Sequence, residues 1–302
     1  MLRNLLSTVI SVGCASMALI GQPNPPRPPI TGISHMTVYA ADPDASRRFY
    51  VGKLGLLEGT PDSAGNARYF VSAKQYVVVA PLPSNHNNSR FKAVAYTTTD
   101  AAALRRYLAA HSVRVPNDVT HNPDGSLSFE VHDPEGYIVG FEQPPNRSLP
   151  PNSNNPTSTR IIHVGYAVRN RAAEDRFYRD ILGFRLYWHG GMKDGVEEFV
   201  SQQVPDGTDW LEYMLTVPAK PSQQTLGVLN HFSLGVGDIN DAAKKLEAHG
   251  WHETKGEHRQ DGRDGKRQLN VFDPDLTRVE FMEFKPFTTP CCAPFTGQHP
   301  QP

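Results

Sequence analysis

Three cysteines, no C-x-x-C pair and a formal net charge of −1 set the first limits on this chain of 302 residues. So few cysteines exclude a fold that rests on a disulfide framework, and the missing paired spacing excludes a structural zinc knuckle. A charge near zero provides neither a basic stripe for nucleic acid nor a polybasic patch for an anionic membrane. No apolar run is long enough to span a bilayer. The composition is that of a globular protein whose length suits two ordinary domains, and its expected partners are small molecules. Two of the cysteines, Cys291 and Cys292, are neighbours. Adjacent cysteines fit disulfide geometry poorly, so they are expected to be free or to bridge to another chain.

Proline is plentiful but localised, at residues 23–29, 144–156 and 286–302, where it marks ends and joints. The first residues, "MLRNLLSTVISVGCASMALIG", combine an early Arg3, a short apolar stretch and small residues, the layout of a secretory signal peptide over 1–21. Export to a periplasm or to the outside is the expected localisation. Cys14 after Val12 and Gly13 has some lipoprotein character, but Ser11 stands where such signals carry Leu, so plain cleavage near Ala18 or Gly21 is expected. Residues 22–30 are expected to be a disordered, proline-rich segment.

The chain repeats itself. "ISHMTVYAADPDASRRFYVGKLGL" superposes on "IIHVGYAVRNRAAEDRFYRDILGF" without a gap, matching His35 with His163 and Phe49-Tyr50 with Phe177-Tyr178. "FKAVAYTTTDAAALRRYLAAHSV" overlays "LNHFSLGVGDINDAAKKLEAHGW" in the same way, and holding that offset further pairs Glu142 with Glu280. Asp100 and Asp238 each precede an amphipathic helical stretch as N-caps. Strand patterns follow at "YFVSA", "YVVVA", "LSFEVHD" and "YIVGFEQ", and again at "EEFVSQ", "WLEYML", "LNVFD" and "RVEFMEF". The result is an α+β chain of four βαβββ units, two per domain.

The candidate chemistry lies in the second half. In "RIIHVGYAVRN" His163 faces away from Ile162, Val164 and Tyr166, and in "LNHFSLGV" His231 faces away from Phe232 and Leu234. Glu212 in "WLEYML" and Glu280 in "RVEFMEF" face away from their apolar neighbours likewise. Forty-nine residues separate His163 from Glu212, and the same number separates His231 from Glu280. Two imidazoles with one or two carboxylates on a concave sheet suit one divalent metal ion, and two His with one carboxylate leave coordination positions open. Fe(II) is favoured, with Mn(II), Ni(II), Zn(II) and Co(II) as alternatives.

These paired units, the "RFYVGKLGL" and "RFYRDILGF" segments, and the "DPEGYIVGFEQ" and "DPDLTRVEF" strands resemble the vicinal oxygen chelate superfamily over nearly all of residues 31–285. That superfamily includes glyoxalases, bleomycin-resistance proteins and extradiol dioxygenases. The resemblance implies two tandem domains, each a cupped mixed sheet with helices outside: 31–143, a linker at 144–160, 161–285, and a proline-rich tail at 286–302. It implies His163, His231 and Glu280 as metal ligands with Glu212 as a fourth, and a small substrate that offers two neighbouring oxygens. The first domain departs from the pattern: Ala93 replaces the second histidine and "YVVVA" offers no carboxylate, so that copy of the site is expected to be degenerate.

Three activities follow from the resemblance. Tandem domains with an intact second site resemble ring-cleaving extradiol dioxygenases, and Gly256-Glu257-His258 begins their signature, which puts His258 forward as a catalytic residue; Asn270 stands where that signature has Tyr. Glyoxalase or epimerase chemistry makes use of Glu212 as a base. The third is ligand binding without catalysis. His189 and His252 are expected at the surface.

Overall fold

The computed structural model describes residues 25–145 and 156–302; the expected signal peptide and the greater part of the linker lie outside the described residues. The first half runs β1 (Ile30–Ala40), α1 (Pro43–Arg47), β2 (Leu57–Glu58), β3 (Ala67–Phe70), β4 (Tyr76–Pro81), β5 (Phe91–Thr98), α2 (Ala101–Ala110), β6 (Thr120–His121), β7 (Leu127–His132) and β8 (Ile138–Gln143). The second repeats the order with β9 (Arg160–Ala167), α3 (Arg171–Asp175), β10 (Arg185–Gly190), β11 (Phe199–Gln203), β12 (Trp210–Met214), β13 (His231–Val236), α5 (Ile239–Ala248), β14 (Arg259–Asp261), β15 (Arg267–Phe272) and β16 (Arg278–Glu283), adding one helix, α4 (Gln223–Leu229), between β12 and β13.

Each half forms one eight-stranded mixed sheet, in the orders β2-β3-β4-β1-β5-β8-β7-β6 and β10-β11-β12-β9-β13-β16-β15-β14. The βαβββ unit dictates this order. Its first and last strands pair in parallel, as β9 with β12 and β13 with β16, and the two first strands, β9 and β13, pair antiparallel at the centre. Asp100 and Asp238 do cap their helices, accepting backbone N–H bonds from Ala103 and from Asn240 and Asp241 respectively.

After α1 and α3 the backbone widens into a π-helical turn, over Arg48–Lys53 and Arg176–Ile181. The smaller rotation per residue lets two successive aromatics, Phe49-Tyr50 and Phe177-Tyr178, both be buried. The two tyrosines then reach across the molecule: Tyr50 OH donates to Asp273 at 3.0 Å and Tyr178 OH to Asp133 at 3.3 Å. One apolar cluster consequently runs through both halves, with Tyr96 against Phe184 and Phe91 against Tyr166.

Two expectations need revision. Residues 25–29 have no secondary structure, yet they are tied down, for Arg27 pairs with Asp206 at 2.8 Å and Ile30 N–H donates to the same carboxylate. Cys291 and Cys292 are joined to each other rather than free. The tail also packs: Phe295 lies on Tyr187, Gln203 Nε2 donates to the Gln298 carbonyl and Arg160 to that of Gln301. Among the described residues no helix is long and apolar enough to cross a membrane.

Candidate metal centre

Sheet register assembles the site from two adjacent rungs of the second sheet. Gln203, Trp210, His163, Ser233, Glu280 and Asn270 stand side by side across six strands. The next rung holds Ser201, Glu212, Gly165 and His231. Because residues two apart on a strand share a face, all of these project into the same concavity. His163 and Glu212 come from a parallel strand pair, as do His231 and Glu280, and in each pair the carboxylate sits one rung diagonally from its imidazole. The same diagonal recurs in both pairs because each is the first and last strand of one βαβββ unit.

The atoms converge. His163 Nε2 lies 3.0 Å from His231 Nε2 and 3.2 Å from Glu280 Oε2, and His231 Nε2 lies 3.4 Å from Glu212 Oε2. Glu212 stands 4.0 Å from His163. Both imidazoles are buried, which lowers their pKa values well below the ordinary range and keeps them neutral. Placed 3.0 Å from the Leu229 carbonyl, His231 Nδ1 carries the ring proton, so its Nε2 presents a lone pair to the site. Gly165 makes room for this ring, since a Cβ there would fall inside it.

Two buried, neutral imidazole nitrogens in contact, beside a Glu280 Oε2 that has no hydrogen-bond partner among the described residues, form an electron-rich site that wants a cation. A divalent first-row ion binds such nitrogens at about 2.0–2.1 Å. Two ligand atoms at right angles on it therefore lie about 3 Å apart, the spacing seen between these groups. His163, His231 and Glu280 together fit a metal ion. Burial pushes the Glu280 carboxyl up to about 7, with Arg278 opposing and Glu212 reinforcing the shift.

The inner side of the concavity is closed. Trp210 packs on His163 with ring centroids 4.7 Å apart and the planes tilted by 32°, and the buried Lys266 ammonium, its pKa lowered to about 8 by desolvation, lies 4.5 Å over the Trp210 ring. Phe295 of the tail covers Lys266 from another side. Access is on the outer rung, where 15% of the Glu212 side chain is exposed against 0% for both histidines.

The structure does not bring His258 to this group. It is exposed, just before β14, the edge strand two places from β16, so it stands outside the concavity. His252 is exposed too, and His189 is half-exposed in an ion pair with Glu197.

The first sheet corrects the repeat. Asp133 corresponds to Asp273, and register puts Gly140, not Glu142, opposite Ala95 as Glu280 is opposite Ser233. Two residues gained ahead of β15 misled the ungapped overlay. Glu142 lies one rung further on, where its Oε2 accepts from Ser34 at 2.6 Å and Tyr76 at 2.9 Å and lies 3.1 Å from His35 Nδ1. With Val78, Ala93 and Gly140 at the other positions, His35 alone keeps a ligand type.

The family model described as the Glyoxalase/Bleomycin resistance protein/Dioxygenase superfamily matches residues 32–141 and 160–281. No curated protein matches the chain by sequence. Among solved structures, homoprotocatechuate 2,3-dioxygenase from Brevibacterium fuscum, in its anaerobic complex with 3,4-dihydroxyphenylacetate, is similar with a TM-score of 0.64 and 18% identity, over 92% of this chain and 85% of that one. The 2,3-dioxygenase LapB from Pseudomonas sp. KL28 is similar with a TM-score of 0.62 and 15% identity, over 92% and 96%.

Proposed function

The chain belongs to the Glyoxalase/Bleomycin resistance protein/Dioxygenase superfamily, and from that membership we propose a metal-dependent enzyme that binds two neighbouring oxygens of a small substrate, of the extradiol ring-cleaving type. The observation that carries this reading is the group of two neutral imidazoles and one carboxylate whose ligand atoms lie within 4.8 Å of one another in the second of two tandem domains. Two His and one carboxylate are a donor set that would leave a divalent ion with coordination positions open for a substrate. The likeness to two dioxygenases in fold supports it.

When bound, a divalent ion, Fe(II) by preference, supplies Lewis-acid polarisation of the substrate oxygens. His163 and His231 would hold it as neutral donors, and Glu280 would offset part of its charge. Trp210 and the tail exclude water from the inner side. Glu212, further out and partly exposed, is placed to take a proton from a substrate hydroxyl.

That position of Glu212 also favours a second reading, proton transfer next to a carbonyl in a glyoxalase- or epimerase-like reaction. Oxygen uptake by Fe(II)-loaded protein supplied with catechols tests the first; anaerobic turnover of 2-oxoaldehydes tests the second. Ring cleavage with oxygen consumption supports the dioxygenase, and anaerobic turnover without it overturns that reading. The same proposal includes export, on the composition of residues 1–21. Mature protein that still begins at Met1 would contradict it.

A further inference from the structure

Arg278 is a charged group in the concavity that makes no hydrogen bond among the described residues. It lies two residues before Glu280 on β16, so it shares the face of that ligand and extends the outer rung beyond His231. Only 13% of its side chain is exposed. Its nearest acid is Glu280 Oε1 at 4.0 Å, too far for a hydrogen bond, and Nε is buried with no partner. Among the described residues the guanidinium forms no hydrogen bond at all. Across the strand pair, buried Asn270 Oδ1 is unpartnered as well.

A guanidinium carries five donors in a planar fork, and burying them unused is costly. Arginines that are merely structural in this chain are paired: Arg90 with Asp275 at 3.1 Å, Arg160 with Asp209 at 2.7 Å, Arg68 with Asp124 at 3.2 Å. Arg278 stands instead, largely buried, on the outer rung of the metal centre, the rung of partly exposed Glu212.

We propose that Arg278 holds a carboxylate of the substrate, so that the molecule chelated at His163, His231 and Glu280 is an acid, with its charged group beside the two chelating oxygens. This rests on the chelation reading above. The fork matches a carboxylate edge to edge, which a lone ammonium cannot do. Neutral chelators of the same shape leave the fork unpaired and bind less tightly. Arg278 is thus a specificity-determining residue.

The test uses metal-loaded protein and calorimetric binding of catechol, 2,3-dihydroxybenzoate and 3,4-dihydroxybenzoate, with metal content measured in every variant. Wild-type protein should bind at least one acid about tenfold or more tighter than catechol. In Arg278→Met that preference should vanish while catechol affinity and metal content persist; Arg278→Lys should retain only part of it. If Arg278 serves only to steady Glu280, both variants lose metal and keep the preference, and the proposal fails. Equal binding of catechol and both acids by the wild type overturns the role of Arg278 alone. Metal-loaded protein that binds none of the three overturns the chelation reading and this inference with it.

Discussion

His231 and His35 are each a histidine facing a concave sheet, yet they sit in different company. His231 has His163, Glu280 and Glu212 within reach, whereas His35 is held by Ser34 and Glu142 and stacked on Tyr76 at 4.6 Å. His231→Ala should therefore remove most of the bound metal and His35→Ala almost none, as read by elemental analysis of purified protein; equal loss from both would sink the assignment. Gly165 makes a sharper case, because it ligates nothing. A methyl group there collides with the His231 ring, so Gly165→Ala should lower metal affinity at least about tenfold, given that displacing a ligand's support costs 10–100-fold. Circular dichroism should be unchanged. Full metal binding by this variant would mean that the ring has room to move.

At the level of elements, the π-helical turns and the Asp-Pro turns lock the halves together, but the two locks are unequal. Tyr50 is the one side chain that donates to Asp273 Oδ2 among the described residues, while Asp133 receives both Tyr166 at 2.9 Å and Tyr178. Leaving a buried acceptor unpaired costs about 1–3 kcal/mol. Tyr50→Phe should show a loss of that order in urea denaturation, and Tyr178→Phe distinctly less because Tyr166 still donates. A larger loss from Tyr178→Phe would refute this account of the junction.

Across the whole molecule the junction also carries a pH dependence. Glu174 of α3 is buried, accepts the Glu135 N–H of the other half at 2.9 Å, and has a second oxygen with no partner among the described residues. Burial first, then the charge of Asp133, raises its pKa far above the carboxylate range, so the folded protein keeps it protonated. The unfolded chain releases that proton near the ordinary value, and between the two values the folded state binds more protons. Stability contributed here is thus complete in mild acid and declines as pH rises towards the folded value. Glu174→Gln keeps the shape without the proton, so it should raise the melting temperature more at pH 8.5 than at pH 5.5. An equal change at both pH values would show that Glu174 is ionised in the folded protein.

Alternation along a strand, cap residues and the doubling of the chain are local properties, and the sequence alone determined them. The βαβββ units, the helices after Asp100 and Asp238, and the inward faces of His163, His231, Glu212 and Glu280 were legible because periods of two and of 3.6 need no partner strand to be read. Register is different, since it is set between strands. An ungapped overlay made Glu142 the twin of Glu280, and only pairing of β5 with β8 put Gly140 there. Helix α4, which ends at the Leu229 carbonyl that orients His231, escaped notice because Gln223–Leu229 is too short to show a period. Packing decided the rest. His258 precedes an edge strand and so falls outside the centre, the proline-rich tail has an aromatic floor to cover, and Arg278 was visible as an arginine but not as one without a partner among the described residues. Tertiary structure alone could decide these points, because each depends on what lies within a few ångströms of a side chain rather than on what precedes or follows it in the chain.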